Sequence, residues 1–288
     1  MIGVVVGLLC ATTWACGSIL IRDLSRKLDP FTLNAPRALV GGLTMLIVAL
    51  ATGRTQYSSV NTEQLFFLLA SVGVGGGIGD TFYVRSLTRI GVSRAFPVAS
   101  IYPAITLILA IVFLREQPSL TVVLGLGLVV GGILLIGRRK TMDLATRAID
   151  SAGLGFALIA AVAWALSYTL LGPGMEGLDS IMVASFRTPA LALVLFGIVA
   201  MRGTFPKLKA LTRRDWVILI VGGIIGWGLG SLLFLLSVTL LGPTRAAILT
   251  STSPLFALPM SVVFLKEEVN RLVLVGTAIT VLGVILVA

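Results

Sequence analysis

Gly75-Gly-Gly-Ile-Gly-Asp80 returns 151 residues later as Gly226-Trp-Gly-Leu-Gly-Ser231, and the match extends well beyond these glycines. At the same offset Ser100 falls on Ser251, Pro103 on Pro254, and Leu114-Arg115-Glu116 on Leu265-Lys266-Glu267. Gly125 and Gly132 fall on Gly276 and Gly283. Nearer the start the offset is 150: Trp14 falls on Trp164, Leu28-Asp29 on Leu178-Asp179 and Arg37 on Arg187. One residue of slip between the second and third hydrophobic segments reconciles the two. The chain therefore reads as two copies of one unit, 1–137 and 152–288, joined by a basic linker at 138–151. Two copies of one membrane unit are the architecture of devices with a site between the copies, as in secondary transporters.

Composition makes the membrane assignment. Mean hydropathy is +1.06, and charged residues are 12% of the chain against about 25% in soluble domains. Apolar stretches of bilayer-spanning length, roughly 17–25 residues, fall at about 3–21, 32–51, 65–88, 94–114, 119–137, 152–171, 180–201, 215–240, 245–265 and 271–288. The expected fold is an all-α membrane protein with ten transmembrane helices, five per copy. No positively charged n-region precedes the apolar sequence at Ile2, so no signal peptide is expected.

The net charge of +10 follows topology, not nucleic acid. Odd-numbered connections hold Arg22, Arg26, Lys27; Arg89, Arg94; Arg138, Arg139, Lys140, Arg147; Arg202, Lys207, Lys209, Arg213, Arg214; and Lys266, Arg271. Even-numbered ones hold only Arg54, Arg115 and Arg245. The positive-inside bias puts odd connections in the cytoplasm and both termini outside. Five helices per unit force the second copy to insert upside down. The loops agree: 22–27 is basic while its counterpart at 172–179 has no Lys or Arg, and the bias reverses between 52–63 and 202–214. The repeat is read as inverted.

Several motifs recur in order. Trp stands in the first helix of each unit (Trp14-Ala-Cys-Gly, Trp164-Ala-Leu-Ser) and Arg early in the second (Arg37, Arg187). Pro lies midway along the fourth, with (R/K)E at its end (Pro103…Arg115-Glu116; Pro254…Lys266-Glu267). In this the chain resembles the EamA-type branch of the drug/metabolite transporter superfamily over nearly its whole length. The resemblance implies a carrier of small metabolites, often an exporter of amino acids or related compounds. Many members of that family place both termini in the cytoplasm, opposite to the charge reading here.

Little else could do chemistry. The absence of His excludes Ser-His-Asp and Cys-His catalysis and His-ligated metals. Cys10 and Cys16, six apart on one helix, lie about 240° around its axis from each other, which suits packing better than redox or metal binding. The glycine run at 73–79 lacks the strand and βαβ setting of a nucleotide loop. Its i,i+4 pairs Gly75/Gly79 and Gly226/Gly230 suit close helix approach. No cofactor, metal or nucleic acid is expected.

Asp80 is the sharpest candidate, the only acid deep within a predicted helix, where a charge costs about 2.5–3.5 kcal/mol. Gly73, Gly76, Gly77, Tyr83 and Leu87 share its stripe, and its repeat mate is Ser231. It could couple protons, anchor a substrate ammonium, or pair with Arg37. Arg37 and Arg187 could bind a substrate carboxylate or phosphate, or hold the scaffold. Ser100-Ile-Tyr102-Pro103 and the run Thr250-Ser251-Thr-Ser253-Pro254 put hydroxyls just before a proline, which frees a backbone carbonyl and suits a cavity-facing hinge. Trp14, Trp164, Tyr168 and Trp227 could wall a pocket or merely pack; Ser18 and Ser231 complete the expected lining. Glu116 and Glu267 read as anchors at helix ends.

The expectation is a secondary carrier in the plasma membrane that moves a small molecule by alternating access. Its cavity would lie between the halves, lined by helices 1, 3, 4, 6, 8 and 9. Helices 5 and 10 would sit at the periphery, available for homodimerisation. No ATP-binding element is visible, so uphill transport would need a gradient, with H⁺ through Asp80 the first choice. A channel or receptor would need a polar ring or an extramembrane ligand domain, and an intramembrane enzyme a paired nucleophile and base.

Overall fold

The computed structural model describes residues 1–21, 24–90, 95, 98–142, 150–257, 260 and 271–288, with the backbone alone at 26, 136–142 and 273. Arg22, Arg94, Arg147, Lys266 and Glu267, and the far end of the predicted ninth helix, lie outside these residues. Among the described residues every regular element is helical. They are α1 (Ile2–Leu20), α2 (Pro30–Ala51), α3 (Thr62–Ile90), α4 (Tyr102–Leu114), α5 (Leu120–Met142), α6 (Ser151–Gly174), α7 (Ser180–Met201) and α10 (Arg271–Val287). Between the last two, Arg213–Thr250 comprises two arms that meet at Gly242, here α8 (213–241) and α9 (243–250). Gly242 has φ 78° and ψ 165°, a conformation that only glycine adopts without strain, and Pro243 follows it. Among the described residues six stretches are long and apolar enough to cross a membrane, counting Arg213–Thr250 as one, and three shorter apolar helices accompany them.

Each copy starts its helices in the same way. The recurring Leu-Asp pair is a helix cap: Asp29 accepts from Thr32 N at the start of α2, and Asp179 from Ile181 N and Met182 N at the start of α7. Burial acts to raise the pKa of the Asp29 carboxyl, but bonds from Thr32 and the nearby Lys207 and Arg202 hold it below the usual aspartate value. Helices α3 and α8 open with capping boxes at matching positions, Asn61 with Gln64 and Thr212 with Asp215.

Both glycine runs then widen into π-helical turns, Gly73–Gly79 in α3 and Gly223–Leu229 in α8. Such turns cluster at functional sites in other proteins. The recurrence of glycine predicted close packing, and packing is what it serves. A Cβ on Gly79 would lie 2.6 Å from the Trp164 ring, and one on Gly230 would lie 3.1 Å from Trp14 Nε1. The two tryptophans are repeat mates, as are the two glycines. Thus α6 packs across α3, and α1 packs across α8 and α9.

The two most extensive packings pair equivalent helices. α2 lies along α7, and α5 along α10. In the second pair Gly125 faces Gly283 and Gly132 faces Gly276, so that mates exchange partners as they would across a two-fold axis. A Cβ on Gly125 would lie 2.8 Å from the Gly283 carbonyl. Gly125, Gly132 and Gly283 are therefore closely faced within the chain, while Gly127 and Gly131 face open space. The side chains available to another copy are lipid-facing ones such as Leu124 and Leu282, 53% and 56% exposed.

The predicted fourth helix is interrupted. Residues 100–101 form a turn, and Pro103 stands in the first turn of the resumed helix α4. The same break recurs at 251–252, ahead of Pro254. Proline has no N–H to continue the ladder and its ring collides with the carbonyl four residues back, which ends each preceding helix there.

Candidate functional site

Helices α1, α3, α4, α6, α8 and α9 bring an aromatic cluster together in the interior. Tyr83 and Trp164 have ring centroids 5.1 Å apart, Tyr102 meets Trp164 edge-on at 5.7 Å, and Tyr102 stacks on Tyr168 at 5.6 Å. Tyr168 in turn meets Phe234 at 4.8 Å, and Trp14 meets Phe234 at 5.7 Å. The phenols of Tyr102 and Tyr168 both reach Thr250 Oγ1. Of the residues named from the sequence, Trp14, Tyr83, Tyr102, Trp164, Tyr168 and Thr250 meet here, and Phe234 joins them. Trp227 lies apart, its ring against Gly76 and Leu191.

Asp80 adjoins the cluster. Trp164 Nε1 donates to Asp80 Oδ1 at 2.9 Å, which fixes the carboxylate against α6 while Asp80 stays only half-buried. Arg37 is near enough for electrostatic attraction. The direct ion pair that the sequence allowed is not made, for among the described residues Arg37 has no carboxylate within 4.0 Å.

The two repeated arginines differ sharply. Arg187, 3% exposed, donates from Nη2 to Ser71 Oγ at 2.8 Å and from Nε to the Leu68 carbonyl at 3.3 Å, with its guanidinium over the Phe234 ring. Ser71 is itself tied to Ser167, whose hydroxyl donates to the Ser71 carbonyl at 2.8 Å. Arg187 is thus a scaffold residue that pins α7 to α3. Arg37, 7% exposed, donates from Nη1 to Asn34 Oδ1 at 2.8 Å, but its Nε has no partner. In Arg187 the Leu68 carbonyl receives Nε and Ser71 receives Nη2; the mate of Ser71 is Gly222, which offers Arg37 no hydroxyl, and a Cβ there would lie 3.6 Å from Arg37 Nε.

The other candidates serve local structure. Ser231 shares a hydrogen bond with Thr188 at 3.3 Å, and Ser251 Oγ donates to the Ile248 carbonyl at 2.7 Å. Ser18 is exposed and donates to the Trp14 carbonyl at 2.8 Å. Ser100 is buried and Ser253 half-buried. Glu116 accepts from Thr244, linking the end of α4 to the start of α9. Arg89 meets Asp150 at 2.8 Å, and that bond with the backbone N–H of Gly153 holds the Asp150 carboxyl below its ordinary pKa. Cys10 and Cys16 are separate free thiols. Sequence reasoning passed over Asn34, Ser71, Gly222 and Phe234. The substitution of Ser71 by Gly222 between the copies was a visible signal for the arginine contrast.

The EamA-like transporter family model matches residues 1–138 and again 151–288. The chain belongs to the EamA-like transporter family. The resemblance read from the motifs is borne out, and the protein is an integral multi-pass membrane protein. A transporter of uncharacterised role from Archaeoglobus fulgidus is 27% identical, over 99% of this chain and 98% of its own length. Protein LicB of Haemophilus influenzae is 23% identical, over 99% and 97%. One crystal structure shares the fold at a TM-score of 0.78 and 16% identity, covering 99% of this chain and 95% of that one.

Proposed function

We propose that this protein is a secondary active carrier, working as an exporter, of a small polar metabolite that bears both a cationic and an anionic group, such as an amino acid or a related compound. The observation that carries the proposal is a pair of interior charges, Arg37 and Asp80, that attract each other but make no direct ion pair. Arg37 keeps an unused N–H, and Asp80 is held by Trp164 instead of by an arginine. Interior charges are costly and pair where they serve structure alone. Two left open to a third party suit a ligand that completes both.

The architecture proposed is ten membrane helices in two inverted five-helix repeats, 1–137 and 152–288, with the basic linker 138–151 between them. The exchanged partners of Gly125, Gly132, Gly276 and Gly283, and the matched crossings at Trp14 and Trp164, support that relationship. The substrate cavity lies between the halves, beside the aromatic cluster. Alternating access proceeds by rocking about the breaks that precede Pro103 and Pro254. Asp80 couples transport to protons. The protein resides in the plasma membrane with both termini outside, and any pairing of two copies uses the lipid-facing sides of α5 and α10.

The test is reconstitution of the full chain into proteoliposomes, screening amino acids, nucleosides and sugar phosphates with and without a pH gradient. Gradient-dependent movement of a zwitterion is the expected result. Failure of every amino acid, with transport of a compound lacking a cationic group, would reject the two-charge reading.

A further inference from the structure

A groove of about 460 Å³ runs down the outer side of α3, away from the aromatic cluster, bounded by α7 and by Phe31 of α2. It reaches from Leu69 to Arg85, sixteen residues and therefore about 24 Å along a helix at 1.5 Å per residue. It opens outward, for Ile78 and Val194 beside it are 46% and 60% exposed. The sole hydroxyl in its lining, that of Thr81, is taken up by the Gly77 carbonyl at 2.6 Å. The groove presents hydrocarbon until it meets Arg85.

Two glycines form its floor, and neither is there to admit a neighbouring helix. A Cβ on Gly73 would meet nothing within 4 Å, and one on Gly77 only the end of Leu191 at 3.8 Å. In the same turn Gly75, Gly76 and Gly79 are pressed against Ser167, Trp227 and Trp164. Gly73 and Gly77 instead leave open space in the groove.

The mouth is cationic. The Arg85 guanidinium lies over the Phe82 ring at 5.5 Å, and that of Arg202 over the Phe31 ring at 5.3 Å, both rings belonging to the groove. Among the described residues neither arginine has a carboxylate within 4.0 Å. Asp29, an acid close by, is held by Thr32, lies 3.8 Å from Lys207 and is attracted by Arg202 without meeting it within 4.0 Å.

We propose that this groove binds one acyl chain of an anionic phospholipid, with the lipid phosphate seated between Arg85 and Arg202. An acyl chain spans half of a hydrocarbon core about 30 Å thick, which the groove accommodates. Membrane-surface arginines attract anionic lipid by roughly fivefold in affinity each. The site is independent of the transport reading and would stand if that reading fell.

Native mass spectrometry of the purified full chain, titrated with phosphatidylglycerol and with phosphatidylcholine of the same acyl chains, tests it. The wild type should prefer phosphatidylglycerol by roughly thirtyfold, from two arginines. Arg85→Gln and Arg202→Gln, both at exposed positions that leave the fold intact, should each cut the preference about fivefold. Gly73→Leu should fill the floor and weaken both lipids. Equal binding of the two lipids by the wild type would overturn the proposal, as would an undiminished preference in both arginine variants. Displacement of phosphatidylglycerol by inorganic phosphate alone would also overturn it, because the groove would then contribute nothing.

Discussion

Arg187 and Ser71 are joined by a 2.8 Å hydrogen bond that Arg37 lacks, because the position matching Ser71 in the second copy is Gly222. Arg187 is thus held by the Leu68 carbonyl and the Ser71 hydroxyl, while Arg37 Nε has no partner. Both arginines are buried, 7% and 3% exposed, and the sequence difference at one site gives them different partners.

Gly222→Ser should supply Arg37 with the missing acceptor. The atoms facing that position, Ile21 Cγ2 and Arg37 Nε, lie 3.5 and 3.6 Å from a Cβ there, so a serine fits. A hydrogen bond to a charged group contributes about 1.5–3 kcal/mol, and stability should rise while transport falls at least about tenfold. Ser71→Gly should do the reverse at Arg187, with a loss of about 1–3 kcal/mol. Thermal unfolding and proteoliposome flux measure the pair. Faster transport in Gly222→Ser would contradict the role given to Arg37.

Asp80→Asn keeps the side-chain shape and the acceptor for Trp164 Nε1, but removes titration. A proton-coupled carrier should lose gradient-driven accumulation and retain substrate exchange. Loss of both modes, with weakened binding, would identify Asp80 as the anchor of a substrate amine. Full gradient-driven transport by a well-expressed variant would remove Asp80 from the mechanism.

Pro103→Ala and Pro254→Ala restore a backbone N–H just after the breaks at 100–101 and 251–252. Each helix should then run through more continuously. Transport should slow more than expression falls, as read by flux per molecule of reconstituted protein. Unchanged turnover in both variants would make the breaks architectural.

Gly132→Ala and Gly131→Ala differ by one position and should differ in sign. A Cβ at Gly132 meets the Gly276 carbonyl at 2.6 Å and the Thr280 backbone nitrogen at 2.8 Å, while at Gly131 nothing lies within 4 Å. Overpacking should cost the first about 1–3 kcal/mol; helix propensity should stabilise the second by up to about 1 kcal/mol. Denaturant unfolding in micelles distinguishes them. Equal stability would show that α5 and α10 part easily.

A cysteine placed at Lys207, in a basic connection, should be protected from an impermeant thiol reagent in intact cells, and one added after Ala288 should react. The opposite pattern would turn the proposed topology over.

The sequence by itself determined the membrane class, the repeat and most of the residues that meet at the site. Hydropathy depends on composition alone, and a duplicated chain keeps its caps, glycines and prolines at matching positions because each copy must solve the same packing problem. The Leu-Asp pairs became helix caps, and the (Trp, Gly) pairs at 14/230 and 164/79 became crossings, without any need to know the partner. The tertiary structure alone decided how the charges are used. Which arginine is satisfied depends on groups in another helix, the Leu68 carbonyl and Ser71 for Arg187 and no partner for Arg37 Nε, and Asp80 is held by Trp164, not by the arginine nearest in expectation. The π-helical turns and the reason for each glycine were likewise out of reach, because helical periodicity records which face a residue occupies but not the atom that faces it.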